Sequence, residues 1–356
     1  MPHLASMAAV SPLDFDMPAI AVFVNPHASK NRQAPAGYRR MLQSIVGSEG
    51  LVTETTSLDE LARAVDDAVD DDAKYYVADG GDGSFHCVLN DIRRAIGEWG
   101  CDPDDLPQIT PTRSGAIDFV ARKVGVEGNI ETILRGLAAS VREQREPPVA
   151  KIESLRIAGV QRTESGEKHE FERLGFALAA GGVGQRFFAK YMAERSGPAA
   201  IVKVVAKALA SRGLQHLPWR APHWLDYAGD VFRPTRARVE VDGRPVPTEL
   251  HGAIHAGAFD VSLGGVFRVF PLAREPGRLH FQAGKITPRE MILALPRLVS
   301  GRTLDCLDLM EVGGRQMIVE ALDDDLLEPI VDGECIRRVT RLEITPGPPV
   351  PVPIVT

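Results

Sequence analysis

The stretch Val77-Ala78-Asp79-Gly80-Gly81-Asp82-Gly83-Ser84 sits between an apolar run, KYYVA, and a segment reading FHCVLNDIRRAI. The apolar run reads as a buried strand ending at Ala78. Phe85, Val88, Leu89, Ile92 and Ile96 then fall at helical spacing, which predicts a helix beginning near Ser84. Glycines at the carboxyl end of a parallel strand let backbone amides approach a phosphate with no Cβ in the way, and the helix N-terminus adds partial positive charge. The Asp82 carboxylate would repel phosphate by itself, so its presence predicts a bridging magnesium ion. A plain glycine-rich turn would use the same residue types. The strand before and the helix after are what favour a binding loop.

Outward from this junction, the chain from about residue 19 alternates short apolar runs with helical periods: AIAVFVN, YRRMLQSIV, LVTETT, LDELARAVDDAV, KYYVA, FHCVLNDIRRAI, PQIT and IETILRGLAA. That rhythm predicts a parallel α/β sheet over residues 19–145. Leu61, Val65, Ala68 and Val69 share one face of the second helix, and Ser57 with Glu60 has capping-box spacing. REPPV, from Arg145 to Val149, breaks the pattern. Strand-like runs with turn signals follow and predict a β-rich, sandwich-like domain over 146–345. Within it, FFAKYMAERSGPAAIVKVVAKALASRG is helical in period, with a break at Gly197-Pro198. Residues 1–18 read as a flexible N-terminus and 346–356, TPGPPVPVPIVT at its fullest, as a Pro-rich tail or final edge segment.

With 356 residues, 44% hydrophobic and 25% charged, the chain can fold into two ordinary domains. A net charge of −7 gives no global attraction for nucleic acid or anionic lipid, so no nucleic-acid partner is expected and any membrane contact needs a locally basic surface. Cys87, Cys101, Cys306 and Cys335 form no C-x-x-C pair, which fits a reducing compartment. The N-terminal segment is broken by Asp14, Asp16 and prolines, and no run approaches the roughly eighteen apolar residues of a spanning helix. The expectation is a cytoplasmic protein, at most peripheral to the inner face of the membrane.

GGDGS resembles the GGDGT signature of the diacylglycerol kinase and sphingosine kinase catalytic family, which includes soluble bacterial lipid kinases. Three further segments match that family in order. VFVNPHASKNR, with Asn25 and Pro26, resembles its opening strand and nucleotide loop. TPTRSGAIDFVARKVGV, with Ser114, Gly115, Asp118 and Phe119, resembles its G-T-x-N-D-F-A-R-x-L-G segment. PIVDGECI, with Asp332, Gly333 and Glu334, resembles its late D-G-E motif. The resemblance implies ATP-dependent phosphorylation of a lipid hydroxyl, diacylglycerol-like or sphingoid, in a cleft between a nucleotide-binding α/β domain and a β-rich lipid domain. It further implies that Asn25, Pro26, Gly80, Gly81, Gly83, Ser84, Ser114 and Gly115 hold the nucleotide. Asp82 would act through magnesium or on the hydroxyl, and Glu334 or Asp332 would be the base. A homodimer stays open.

The chain departs from that pattern at several points. Ile117 stands where a polar asparagine is expected and cannot hydrogen-bond nucleotide or metal ligands. His86 and Cys87 replace Asn and Glu, and an extra residue precedes Arg122. The family's D-G-x-L-D-V metal segment reads Pro276-Gly277-Arg278-Leu279-His280-Phe281, without either aspartate. These losses open a second reading, a lipid-kinase-like protein that binds nucleotide or lipid but is catalytically impaired. A third, a kinase of the NAD-kinase or phosphofructokinase branch, fits GGDGS but gives no role to NPHAS or the late DGE.

VEVDGRPV uses Asp242-Gly243 as an ordinary hairpin turn, so Asp332-Gly333 by itself would read the same way. His251 and His255 lie on a strand and read as polar strand residues, and Asp323-Asp324-Asp325 reads as a solvated turn. From Arg195 to His223 there is no acidic residue, while Lys203, Lys207, Arg212 and Arg220 are present with Trp219 and Trp224 nearby. That composition predicts peripheral contact with an anionic bilayer.

Overall fold

The computed structural model describes residues 18–194, 197–214, 222–322 and 325–355. Its first region alternates strand and helix: β1 (Ile20–Val24), α1 (Tyr38–Val46), β2 (Gly50–Glu54), α2 (Leu58–Asp70), β3 (Tyr75–Asp79), α3 (Asp82–Glu98), β4 (Gln108–Pro111), α4 (Phe119–Lys123) and α5 (Ile130–Arg142). The four strands form a parallel sheet in the order β2-β1-β3-β4. Every residue of β1 and β3 is buried, as expected of central parallel strands covered on both faces. The chain leaves β1 toward one edge and returns at β3 toward the other, so the topological switch point lies between their carboxyl ends.

The α2 start is capped by Ser57, whose Oγ accepts from the Glu60 amide at 3.2 Å. Glu60 reciprocates one residue earlier than the capping box predicts, accepting from the Thr56 amide at 2.7 Å. Strand β3 extends one residue past Ala78, and α3 begins at Asp82. The glycine loop is therefore tighter than the sequence suggests.

The remaining strands are β5 (Val149–Ile152), β6 (Leu155–Arg162), β7 (Lys168–Gly175), β8 (Ala177–Gly182), β9 (Thr235–Val241), β10 (Arg244–Pro245), β11 (Leu250–His251), β12 (Ala253–Gly257), β13 (Val261–Leu263), β14 (Phe267–Val269), β15 (Leu279–Gly284), β16 (Leu309–Gly314), β17 (Met317–Ala321), β18 (Ile330–Val331), β19 (Glu334–Cys335), β20 (Val339–Pro346) and β21 (Val350–Pro353). One sheet runs β10-β9-β17-β20-β6-β7 with β11 on β9, and another runs β16-β15-β12-β8-β18-β19. Ile157, Val239, Val319 and Leu342 of the first share a continuous core with Ile254, Phe281, Ala283 and Val331 of the second. Four helices accompany these sheets: α6 (Val183–Ala193), α7 (Pro198–Leu214), α8 (Pro222–Val231) and α9 (Pro288–Ser300). The break at Gly197-Pro198 is the start of α7, where proline's missing amide costs nothing. Among the described residues, no helix is long and apolar enough to cross a membrane.

The Pro-rich end is not a loose tail. Strand β21 pairs antiparallel with β5 and buries Val350 and Val352, and Val355 packs against Gly136 of α5, where a Cβ would lie only 2.8 Å from it. Alternate valines in VPVP supply an inward face, while the prolines sit where the ladder needs no donor. The C-terminus thus returns to the first region.

Helix α3 fixes the two regions together. Asn90 donates to the Leu174 carbonyl at 2.9 Å and accepts from the Leu174 amide at 2.8 Å, and the Phe85 ring stacks on Phe176 at 5.8 Å. The same helix starts at the glycine loop, so the loop's position is coupled to the β-rich region.

Candidate active site

Two glycine-bearing loops meet at the switch point. A Cβ on Gly115 would stand 2.4 Å from the Gly81 Cα, and one on Gly80 would stand 2.2 Å from Ser84 Oγ. Both positions exclude side chains by contact alone. The Phe85 amide donates back to the Gly81 carbonyl at 3.0 Å, which leaves the amides of Asp82, Gly83 and Ser84 in the first turn without an i−4 acceptor. Amides so placed form an anion site. Asn25 follows β1 and donates its Nδ2 to Ser84 Oγ at 2.8 Å. Asn25, Gly83, Ser84 and Glu334 line one polar cleft of about 250 Å³ together with Thr55, Thr56 and Ser57. Pro26 lines a separate hollow beside Tyr38 and Arg39 instead. Gly80, Gly81, Ser114 and Gly115 also lie outside the lining of that cleft.

Sequence inspection missed Asp79. Its carboxylate is buried and accepts from Asn31 Nδ2 at 3.0 Å, Tyr38 OH at 3.1 Å, Thr112 Oγ1 at 3.0 Å and Ser114 Oγ at 2.6 Å. Burial pushes the Asp79 carboxyl up against the pull of these donors. It ties the loop after β1, helix α1 and the loop after β4 to the end of β3. Ser114 is therefore committed to Asp79, so its hydroxyl faces into the protein and only its backbone borders the glycine loop. The available signal was an acidic residue at the end of an otherwise apolar run.

Asp82 Oδ1 accepts from the Val120 amide at 3.1 Å, and the carboxylate also receives the Phe119 amide, so it caps α4 across the loop. Desolvation, with the nearby charges of Asp118 and Asp332, pushes Asp82 up to about 7. Asp118 has a left-handed backbone, φ 55°, and its Oδ1 accepts from the Gly115 amide at 2.8 Å while Oδ2 lies 3.3 Å from Lys30 Nζ. Ile117 is buried in the core, and only its carbonyl is used, by Arg122 Nε at 3.0 Å.

The DGE motif forms the turn between β18 and β19. Asp332 and Gly333 have φ of 51° and 101°, the same left-handed pair that Asp242 and Gly243 adopt at 47° and 73°. The local turn chemistry is identical, and only placement differs. Glu334 reaches the glycine loop, where a Cβ on Gly83 would lie 2.6 Å from Glu334 Oε1. Asp332 is held from three sides: its Oδ1 accepts the amides of Phe176 at 3.0 Å and Ala177 at 2.9 Å, and its Oδ2 lies 3.1 Å from His86 Nδ1. Gly80, Gly81, Asp82, Gly83, Ser84, Gly115, Asp332 and Glu334 are thus brought together.

Behind this turn lies apolar space. A cavity of about 120 Å³ is lined by Asp332 and Gly333 at one end and by Phe119, Phe188 and Phe270 along its length. A second, of about 160 Å³, adjoins it among Phe187, Val205, Leu209, Leu295 and Leu298. They share the walls Gly184, Phe187, His255, Leu263, Val269 and Gln282.

The α/β region that carries the glycine loop matches a known family model. Residues 19–147 match the diacylglycerol kinase catalytic domain. That domain ends where β5 begins, so the match covers the α/β region and its glycine loops. The whole chain resembles a crystal structure named as a diacylglycerol kinase from Bacillus anthracis str. Sterne, with 12% identity and a TM-score of 0.54 over 96% of this chain and 97% of that one. Two further structures from that strain, named provisionally as diacylglycerol kinases, align with TM-scores of 0.59 and 0.57 at 12% and 13% identity, over 93% and 95% of this chain and 94% and 97% of theirs. At such identities the likeness is one of fold, and it extends over the β-rich region beyond the diacylglycerol kinase catalytic domain. No curated protein matches the chain by sequence.

Lys203 and Lys207 both pair with Glu194, just before the acid-free stretch, and Lys207 also lies 5.8 Å from the Tyr227 ring. Two of the four cations are thereby neutralised. The side chains of Arg212, Trp219, Arg220 and Trp224 lie outside the described residues, as do Asp323 and Asp324.

Proposed function

We propose that the chain is an ATP-dependent lipid kinase, transferring the γ-phosphate to a lipid hydroxyl. One observation carries this: the DGE turn borders both compartments, with Glu334 in the polar cleft beside the glycine loop and Asp332-Gly333 at the end of the apolar cavity. A phosphate donor in the first and an acyl chain in the second would bring γ-phosphorus and hydroxyl together at that turn. The amides of Asp82, Gly83 and Ser84 with Asn25 would hold phosphates. Glu334 is the better-placed base, because Asp332 already spends its carboxylate on two amides and His86. The hydroxyl proton passes to Glu334 as its oxygen attacks phosphorus, and the bond to the bridging oxygen breaks to leave ADP.

Among the described residues, no three His, Cys, Asp or Glu side chains converge on a metal position. Asp82, with a carboxyl that neighbouring acids and burial hold near 7, suits a cation that takes its other ligands from phosphates and water, as magnesium does. Bound there, magnesium would neutralise charge on the transferring phosphoryl group. Radiolabelled ATP incubated with mixed lipid micelles and followed by solvent extraction tests the proposal. Label in the organic phase is expected, and its absence for every lipid class offered would overturn it.

The buried Ile117 and the commitment of Ser114 to Asp79 favour one alternative, a protein that binds nucleotide and lipid without efficient transfer. Nucleotide binding with no labelled lipid would select it. In either case we place the protein in the cytoplasm, meeting lipid at the inner membrane face through α7 and α9, which line the second cavity and expose Val202, Leu209, Leu293 and Val299. Given the pairing of Lys203 and Lys207, apolar contact replaces charge as the main attraction.

A further inference from the structure

The shared wall of the two apolar cavities carries one polar relay. Glu311 accepts from Gln282 Nε2 at 2.9 Å and from the Leu304 amide, and lies 3.3 Å from His280 Nε2. Desolvation opposes its charge, yet these groups hold its carboxyl below the ordinary range. With Nε2 of Gln282 directed at a carboxylate, the amide oxygen faces the other way and meets His255 Nδ1 at 3.0 Å. An amide oxygen only accepts, so Nδ1 carries the proton. Burial lowers the His255 pKa and keeps the ring neutral, which leaves Nε2 a bare acceptor. It has no hydrogen-bond partner among the described residues and faces Gly184, where a Cβ would stand 2.2 Å away. Gly184 borders both cavities, so a chain running from one to the other passes this point.

We propose that His255 is a specificity-determining residue, whose Nε2 accepts a hydrogen bond from a hydroxyl or amide N–H carried by the lipid in addition to the hydroxyl that is phosphorylated. The proposal rests on the lipid-kinase reading and narrows its substrate class. A diacylglycerol offers His255 only ester carbonyls, which are acceptors and leave Nε2 unpaired. A lipid with an amide linkage or a second hydroxyl supplies the missing donor.

Binding of a short-chain ceramide and a diacylglycerol of matched chain length, each in mixed micelles with the full chain, tests this. Wild type is expected to favour the ceramide by roughly tenfold, the scale of satisfying a buried acceptor. His255→Leu should bring that ratio close to one. Gly184→Ala, which crowds Nε2 without altering the imidazole, should lower the same ratio. Equal binding of both lipids by wild type, or a preference that survives His255→Leu, overturns the assignment. Labelled-phosphate transfer is read in parallel: a tenfold binding preference without transfer to either lipid would sustain His255 while removing the kinase function.

Discussion

His86 Nδ1 lies 3.1 Å from Asp332 Oδ2, and the pair joins the helix that starts at the glycine loop to the turn that presents Glu334. Both side chains are almost fully enclosed, at 1% and 0% exposure. The contact is thus a strut between the two halves of the site, with Asp332 positioning and Glu334 reaching. His86→Leu removes the one side-chain hydrogen-bond partner that this buried carboxylate has among the described residues and should destabilise the fold by about 1–3 kcal/mol. His86→Asn retains an N–H donor and should recover part of that. Urea unfolding of the two variants checks this, and equal midpoints for wild type and His86→Leu would show that the strut carries no load.

Gly83 offers a way to move Glu334 without touching its carboxylate. An alanine there would place Cβ 2.6 Å from Oε1, the mobile end of a side chain, so the fold can yield cheaply. Gly83→Ala should change stability by about 1 kcal/mol or less while reducing lipid phosphorylation by roughly a hundredfold, the cost of a small misplacement of a reacting group. Turnover near wild type would indicate that the base lies elsewhere.

The α/β region was legible because its signals are local: continuous apolar runs for β1 and β3, a helical stripe in α3, and glycines between them. The late DGE shows the limit. Its Asp-Gly letters and positive φ angles match those of Asp242-Gly243, and what brings Glu334 beside Gly83 is a pairing of β18 with β8 that no local pattern encodes. Asp79 was missed for the opposite reason. It looked like turn chemistry, while its four side-chain donors come from three separate segments. In the basic stretch after Arg195, a partner outside the acid-free window was not legible: Glu194, one residue before it, folds back onto Lys203 and Lys207.

Asp79→Asn tests that hub. It replaces one acceptor oxygen with an N–H donor, which the Thr112 and Ser114 hydroxyls on Oδ1 can meet only by turning round to accept, so the buried network must be rewired. The expected cost is about 2–4 kcal/mol, with loss of nucleotide affinity because both loops lose their common anchor. A thermal melt with and without ATP reads both effects. A variant as stable as wild type would reduce Asp79 to one satisfied polar group among many.

His251 and His255 are both held below their ordinary pKa by burial, so the unfolded chain binds protons that the folded chain refuses. Their stabilising contribution is complete above the unfolded value of about 6.5 and is lost as pH falls below it toward the folded values. The melting temperature should therefore drop between pH 7 and pH 5. His251→Gln, which preserves a donor for the Ala237 carbonyl, should flatten part of that slope. A slope unchanged in His251→Gln would assign the acid sensitivity to other groups.

The cap that Asp82 provides and the catalytic role proposed for it can be separated by a single substitution. Its Oδ1 accepts from the Val120 amide at the start of α4, and its charge is the element proposed to draw magnesium to the transferring phosphoryl group. Asn keeps an oxygen for the amide and deletes the charge, so Asp82→Asn should fold with a melting temperature close to wild type. Lipid phosphorylation should fall by about a thousandfold, near 4 kcal/mol on the barrier, the scale of losing an electrostatic catalytic element. Nucleotide binding should weaken less than turnover, because the charge is needed most where the phosphoryl group is in flight. Asp82→Ala, which removes the cap as well, should add a stability loss of about 1 kcal/mol to the same loss of turnover. If Asp82→Asn turns over lipid at near the wild-type rate, Asp82 is a cap for α4 and no more, and the glycines around it serve close packing, Gly80 against Ser84, Gly81 against Gly115 and Gly83 against Glu334.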